Sequence, residues 1–202
     1  MTIRRLAYSD KAIFSQLDDL IGETHSDCLP PYYPVLLKNS ESGYLLYASI
    51  DSAPIGFSQV FLANWKDAFL IAYLDLLGVK TGFRCKGIAT NLIRRAIETS
   101  VMIAQSKATK FAGLVSMTEI DNVASKKAFS NAGAEIRTDL EYSIPDSTQS
   151  DHVIWISHEL NFVPTTRELA YFLWQFGNLD SHLFVNKYGI VNVPSIKRYV
   201  CS

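Results

Sequence analysis

The residues with the clearest capacity for chemistry lie in one run, Leu74 to Thr90. An apolar stretch ends at Val79 and passes into a basic loop, Lys80-Thr81-Gly82-Phe83-Arg84-Cys85-Lys86-Gly87. That loop opens directly into a helical pattern at Ile88-Ala89-Thr90. The first N–H groups of a helix have no intrahelical acceptor, and the helix dipole is positive there. A strand, a basic loop and a helix start in succession therefore make an anion site, and the pattern fits a pyrophosphate. Gly87, without a Cβ, lets a phosphate approach the backbone, while Arg84 and Lys86 add positive charge. The bland alternative is a solvated loop, since Arg and Lys in loops are commonly only hydrated. No Gly-Lys-Ser/Thr closes the loop, so it is not the nucleotide-binding P-loop, and it is not G-x-G-x-x-G either.

Positioning such a loop requires a buried strand before it and a long helix after it. Phe69 to Val79 is nearly continuous in apolar residues, as expected of a strand covered on both faces. From about Gly87 to Gln105, Ile88, Leu92, Ile93, Ala96 and Ile97 form one apolar helical stripe. Around these, strands are expected at Ile3–Leu6, Tyr44–Ile50, Ile55–Ala63, Phe111–Met117, Ala134–Ile144 and His152–Leu160. A helix capped by Ser9 or Asp10 runs to about Thr24, and one capped by Asp121 ends at Gly133. Turns are expected at Asp51-Ser52-Ala53-Pro54 and Asn64-Trp65-Lys66-Asp67. The prolines in Cys28-Leu29-Pro30-Pro31-Tyr32-Tyr33-Pro34 make that stretch an aromatic loop. The order β-α-β-β-β-α-β-α-β-β predicts an α/β protein with a mixed sheet and helices on its faces.

Arg84, Gly87 and Ala89 read R-x-x-G-x-A. Downstream, Asn122, Ser125, Phe129 and Gly133 read N-x-x-S-x-x-x-F-x-x-x-G. Together, in this order and with the element order above, they resemble the two signatures of the GNAT superfamily of acyl-CoA-dependent N-acetyltransferases over about residues 2–160. The resemblance implies a GNAT-like fold in which the strand ending at Val79 bulges and splays from the next strand. The pantetheine of acetyl-CoA or another acyl-CoA would enter that opening, beside backbone near Leu77 and Val79. The amides of Arg84, Cys85, Lys86, Gly87, Ile88, Ala89 and Thr90 would receive the pyrophosphate. Asn122, with Ser125 and Phe129 on the same helix, would line the cofactor or acceptor side.

Direct transfer needs a base to take the proton of the attacking amine. Asp75, inside the apolar strand, is the first candidate, because burial would raise its pKa. Its other reading is a solvent-facing or backbone-bonded carboxylate. Glu119, after the Phe111 strand, is the second candidate, or else an exposed loop charge. Tyr73, on the face of Asp75 by simple alternation, is the third, or else a packed aromatic. One departure from the family pattern matters. Its frequent general acid, a tyrosine, is replaced here by Phe129, which has no proton to give; Tyr142 and Ser130 are substitutes by proximity in sequence alone.

The rest of the chain narrows the function. The 202 residues carry a formal charge of −1, with 48% hydrophobic and 19% charged residues. That suits a globular chain and offers no broad basic field for nucleic acid or membrane surface. Cys28, Cys85 and Cys201 are too few and too far apart for a disulfide framework, and His25, His152, His158 and His182 have no metal-ligand spacing. No metal is expected. No apolar stretch is long enough to span a bilayer, and no signal-peptide pattern follows the early arginines, so a cytoplasmic protein is expected.

Residues 1–160 are expected to form the acyltransferase domain. Residues 161–202 form an extension, with a helix after Pro164 and a hairpin turning at Asn186–Gly189, that packs on the domain or on a second subunit. The expected function is transfer of an acyl group, by default acetyl, to a primary amine of a small molecule. The alternatives are a protein N-terminal or lysine acetyltransferase and, in another class, an acyl-CoA-binding module with little catalysis.

Overall fold

A computed structural model describes residues 1–7, 9–24, 43–65, 69–119, 121–142, 152–157, 183–186 and 189–192. The strands are β1 (Thr2–Arg5), β2 (Gly43–Ile50), β3 (Ala53–Trp65), β4 (Phe69–Val79), β5 (Lys110–Glu119), β6 (Ala134–Tyr142), β7 (His152–Ser157), β8 (Leu183–Asn186) and β9 (Gly189–Asn192). The helices are α1 (Lys11–Thr24), α2 (Ile88–Ser106) and α3 (Val123–Asn131), with a 3₁₀ turn at Thr81–Phe83. One mixed sheet runs in the order β1-β2-β3-β4-β5-β7-β6-β8-β9. Its only parallel pair among the described residues is β4 with β5, joined through α2. This is the mixed α/β architecture expected from the element order.

Two apolar clusters hold the layers together. On one face, Leu46, Val60, Leu70, Leu74 and Leu114 pack with Leu92, Ile93 and Ala96 of α2 and with Phe129 of α3. On the other, Leu45, Tyr47 and Phe57 pack with Leu17, Leu20 and Ile21 of α1. The α2 stripe read from the sequence, Ile88, Leu92, Ile93, Ala96 and Ile97, is buried. Tyr44 reinforces the first cluster: its hydroxyl donates to the Ala96 carbonyl at 2.6 Å and lies 2.7 Å from Ser100 Oγ, fastening α2 to the sheet. Burial pushes this phenol's pKa upward.

Several expected boundaries move. The β2–β3 turn is only Asp51-Ser52, both at positive φ, because Ile50 already pairs with Ala53. Two residues in that conformation follow the twist of the flanking strands, so Ala53 and Pro54 belong to β3. β3 also continues to Trp65, which pairs with Phe69. α3 is capped by Asn122 and not by Asp121: Asn122 Oδ1 accepts from the Ser125 amide at 3.0 Å. Gly133, at φ +90, follows the helix as expected. β8 and β9 pair as the expected hairpin, and β8 extends the sheet beside β6. The aromatic loop at 28–34, the turn residues 66–67, the helix expected after Pro164, and His25, His158, His182, Cys28 and Cys201 lie outside the described residues.

Candidate active site

β4 changes character halfway along. From Phe69 to Leu74 it is paired on both sides, antiparallel to β3 and parallel to β5, and the last rung to β5 joins Leu74 with Ser116. Ser116 Oγ donates to the Leu74 carbonyl at 2.8 Å, a buried bond at the point where the strands part. From Asp75 to Val79, β4 pairs with β3 alone among the described residues, while β5 turns to β7 from Val115 onward. Against β3 the register slips at the same place. Val60 opposes Leu74 and Gln59 opposes Leu76, which leaves Asp75 as the extra residue of a β-bulge. The bulge and the splay together leave the β5-side edge of residues 75–79 without a strand partner among the described residues.

Asp75 is half-buried at this bulge. Its Oδ2 accepts a hydrogen bond from Gln59 Nε2 at 3.2 Å. Burial raises its pKa from the usual carboxylate value to about 6, and the Gln59 bond, which favours the ionised form, opposes part of that rise. At neutral pH the group is thus mostly ionised and close to the optimum for taking and returning a proton. Tyr73 is buried in the closed half, opposite Phe61. Glu119 ends β5, opposite His152, and is a strand residue, not a loop residue. Leu77 and Val79 lie in the open half, opposite Ser58 and Gly56, half-buried against the α2 cluster. Gly78 is required by packing, since a Cβ there would lie 2.6 Å from Thr24 Oγ1 and run into the Phe57 ring.

The loop after β4 is held from three sides. Lys80 N–H bonds the Ile55 carbonyl at 2.9 Å. Thr81 donates from its amide and its hydroxyl to Glu23 Oε1 on α1, at 3.1 and 3.0 Å, and these bonds hold the Glu23 pKa down. Arg84 Nε donates to the Val79 carbonyl at 3.0 Å, and Lys86 Nζ to the Gly82 carbonyl at 3.1 Å. Cys85 is exposed at φ +61 and Gly87 stands at φ +76. Among the described residues, no atom apart from Gly87's own chain neighbours lies within 4 Å of where a Gly87 Cβ would be. The glycine is therefore needed for its left-handed backbone as well as for open approach. Gly87 is the N-cap of α2, no side chain caps that end, and the first helical bond runs from Asn91 N–H to the Gly87 carbonyl. The amides of Ile88, Ala89 and Thr90 precede that bond and face the open loop, as an anion receptor requires.

The second motif sits beside the first. Thr90 Oγ1 donates to the Ala128 carbonyl and Arg94 to the Asn131 carbonyl, binding α3 to α2. Asn122 spends its side-chain oxygen on the α3 cap, and Ser125 supplies the amide. Phe129 is 1% exposed and is part of the core. Ser130 is exposed on α3, and Tyr142 ends β6 opposite His152. Among the described residues no group of His, Cys, Asp or Glu could hold a metal, and no helix is long and apolar enough to cross a membrane.

Sequence reading missed Gln59, Glu23 and Thr81. A glutamine before Val60-Phe61-Leu62 in an apolar strand was a visible signal. The Glu23–Thr81 tether joins residues too far apart in sequence to suggest each other.

A splayed and bulged fourth strand leading to an uncapped helix over a left-handed glycine defines the fold of acyl-CoA-dependent N-acetyltransferases. The acetyltransferase (GNAT) family model matches residues 11–133, and the chain belongs to that family. Solved structures agree on the fold. The ribosomal-protein-S18-alanine N-acetyltransferase of Escherichia coli is 16% identical, with 80% of this chain and 99% of that one covered at a TM-score of 0.54. The NatC complex bound to Gag peptide and CoA contains a chain that is 19% identical, with 77% and 96% covered at 0.56. An aminoglycoside acetyltransferase from an uncultured soil metagenomic sample, in complex with trehalose, is 20% identical, with 65% and 86% covered at 0.51. No curated protein sequence matches the chain significantly.

Proposed function

We propose that this protein transfers an acyl group, acetyl by default, from acyl-coenzyme A to a primary amine of a small molecule. The observation that carries the reading is the course of the chain: the half of β4 unpaired with β5 runs directly into the Gly87 loop and the α2 N-terminus. A thioester arm laid along residues 75–79 would have its pyrophosphate at the amides of residues 84–90 and its reactive end near the Asp75 bulge. Bound there, acyl-CoA supplies an electrophilic carbon and a thiolate leaving group. The amine nitrogen forms the new bond to the thioester carbon, the C–S bond breaks, and the amine's proton passes to Asp75. Backbone N–H groups at the bulge would stabilise the developing oxyanion. Phe129 offers no proton to the thiolate. A thiol is acidic enough to leave without one, and a solvent proton completes the exchange.

The neighbours in fold act, by their names, on a ribosomal protein and on aminoglycosides. A peptide acceptor is therefore the reading to test against.

Titrating acetyl-CoA and coenzyme A calorimetrically into the protein tests the donor, and following thiol release over a panel of amines and peptide N-termini tests the acceptor. Saturable donor binding, with release for an amine and none for peptides, is expected. Folded protein that binds neither nucleotide would remove the proposal, and a peptide-only profile would replace its acceptor. Tight donor binding with slow release for every acceptor would leave a binding module.

A further inference from the structure

Gln59 is fully buried in β3, and its side chain makes one hydrogen bond among the described residues, to Asp75. Its own carbonyl oxygen, Oε1, is buried without a donor. Leaving a polar atom in that state is destabilising, and an apolar side chain of the same length would avoid it. The fold gains nothing else from this amide. Its placement is nevertheless specific: Gln59 opposes Leu76, so its side chain lies beside the one β4 residue that the bulge leaves without a partner.

We infer that Gln59 is the positioning residue for Asp75: its amide occupies one carboxylate oxygen, holds the bulged side chain in place, and leaves the other oxygen as the atom that receives the amine's proton. This rests on the proposed function, in which Asp75 is the base. An amide suits the task. A lysine or arginine here would pin Asp75 as a weak, permanently ionised base, whereas an apolar residue would let burial drive it toward the neutral acid. The bond to the ionised form lowers the Asp75 pKa and so preserves ionised base at neutral pH.

No charged group contributes to the displacement of that pKa. The titratable residues on elements packed against β4 are Lys11, Asp18, Asp19 and Glu23 on α1, Arg94, Arg95 and Glu98 on α2, and Lys110 and Glu119 on β5, with Tyr73 on β4 itself; β3 has none, and β2 beyond it carries Tyr44 and Tyr47.

The test compares wild type with Gln59→Met, which keeps the length and loses the bond, and Gln59→Glu, which adds a like charge. The Asp75 carboxyl is followed by carbon-13 NMR titration, with Asp75→Asn to assign the signal. Thiol release from acetyl-CoA is then recorded against pH with the best amine of the panel. The Asp75 midpoint is expected to rise by about one pH unit in Gln59→Met and further in Gln59→Glu. The acid limb of kcat should move with it, giving about a fivefold deficit in Gln59→Met at pH 6 that narrows as pH rises, with KM for acetyl-CoA unchanged. A midpoint that stays in place in both variants overturns the pairing. A midpoint that moves while the rate profile does not overturns the catalytic use of Asp75 and leaves the pairing standing. If no amine releases thiol even in wild type, the titration alone still decides whether Gln59 controls Asp75.

Discussion

The two halves of β4 make the instructive comparison. Phe69–Leu74 is paired on both edges, and its residues after Phe69 are buried. Asp75–Val79 is paired on one edge among the described residues and, apart from Gly78, is half-buried. The strand is apolar throughout except for Asp75, so composition does not separate the halves. What separates them is the loss of β5 as a neighbour and the one-residue slip against β3, both at Asp75. The closed half contributes stability through packing; the open half gives up pairing and gains an edge that can bind a ligand. A carboxylate is kept at the junction, where it is neither fully solvated nor fully enclosed.

The largest effect that can break this comparison is a pair of truncations. Leu74→Ala, in the closed half and 1% exposed, should cost about 3 kcal/mol of unfolding free energy. Leu77→Ala, in the open half, should cost clearly less while weakening coenzyme A binding. Denaturant unfolding and calorimetry read the two, and equal losses of stability would erase the distinction between the halves. Next, Gly87→Glu should weaken coenzyme A binding by about a hundredfold or more, about 3 kcal/mol, through bulk, repulsion and a left-handed backbone that glutamate resists. Undiminished affinity in folded Gly87→Glu protein would put the pyrophosphate elsewhere.

Asp75→Asn should separate stability from activity. The folded pKa, about 6, lies above the unfolded value, so the native state binds the extra proton between about pH 4 and pH 6. The protein therefore loses stability as pH rises through that window and carries the full penalty above it. Removing the charge should raise stability at pH 7 by up to about 3 kcal/mol, leave it unchanged below pH 4, and depress turnover more than coenzyme A affinity. Thermal melts at pH 3.5 and pH 7 check the sign, and a variant less stable at pH 7 would show that the carboxylate is better satisfied than its burial implies. The smallest effect is at the junction rung. Ser116→Ala should cost about 1 kcal/mol by leaving the Leu74 carbonyl without its side-chain donor, with little change in turnover. A large loss of turnover would mean that this bond also sets the splay of β4 from β5.

Much of this was legible in the chain itself. Phe69–Val79 forms the strand that its apolar run predicts, and α2 buries the stripe Ile88, Leu92, Ile93, Ala96 and Ile97. Both follow from short-range periodicity, which a sequence carries openly. The loop with Arg84 and Gly87, and the Asn122–Gly133 segment, were also readable, because turn and cap chemistry depends on residues only a few positions apart. The identity of the cap was the local miss: Asp121 and Asn122 can both accept the bond, and the path of the chain leaving β5 brought Asn122 to the Ser125 amide.

Tertiary structure alone decided what depends on distant segments. A run that is apolar on both faces shows no alternation, so the periodicity of Phe69–Val79 does not place the bulge that the family resemblance implies; the register against β3 puts it at Asp75. The same register places Gln59 beside Asp75, and the docking of α1 brings Glu23 to Thr81. Sequence by itself determined which residues form strands and helices and which loop could hold a phosphate, because those properties arise within a turn or two of chain. The unpaired edge of β4, the environment that raises the Asp75 pKa, and the partner that restrains it arise from contacts between separate elements, and these exist only once the sheet has closed.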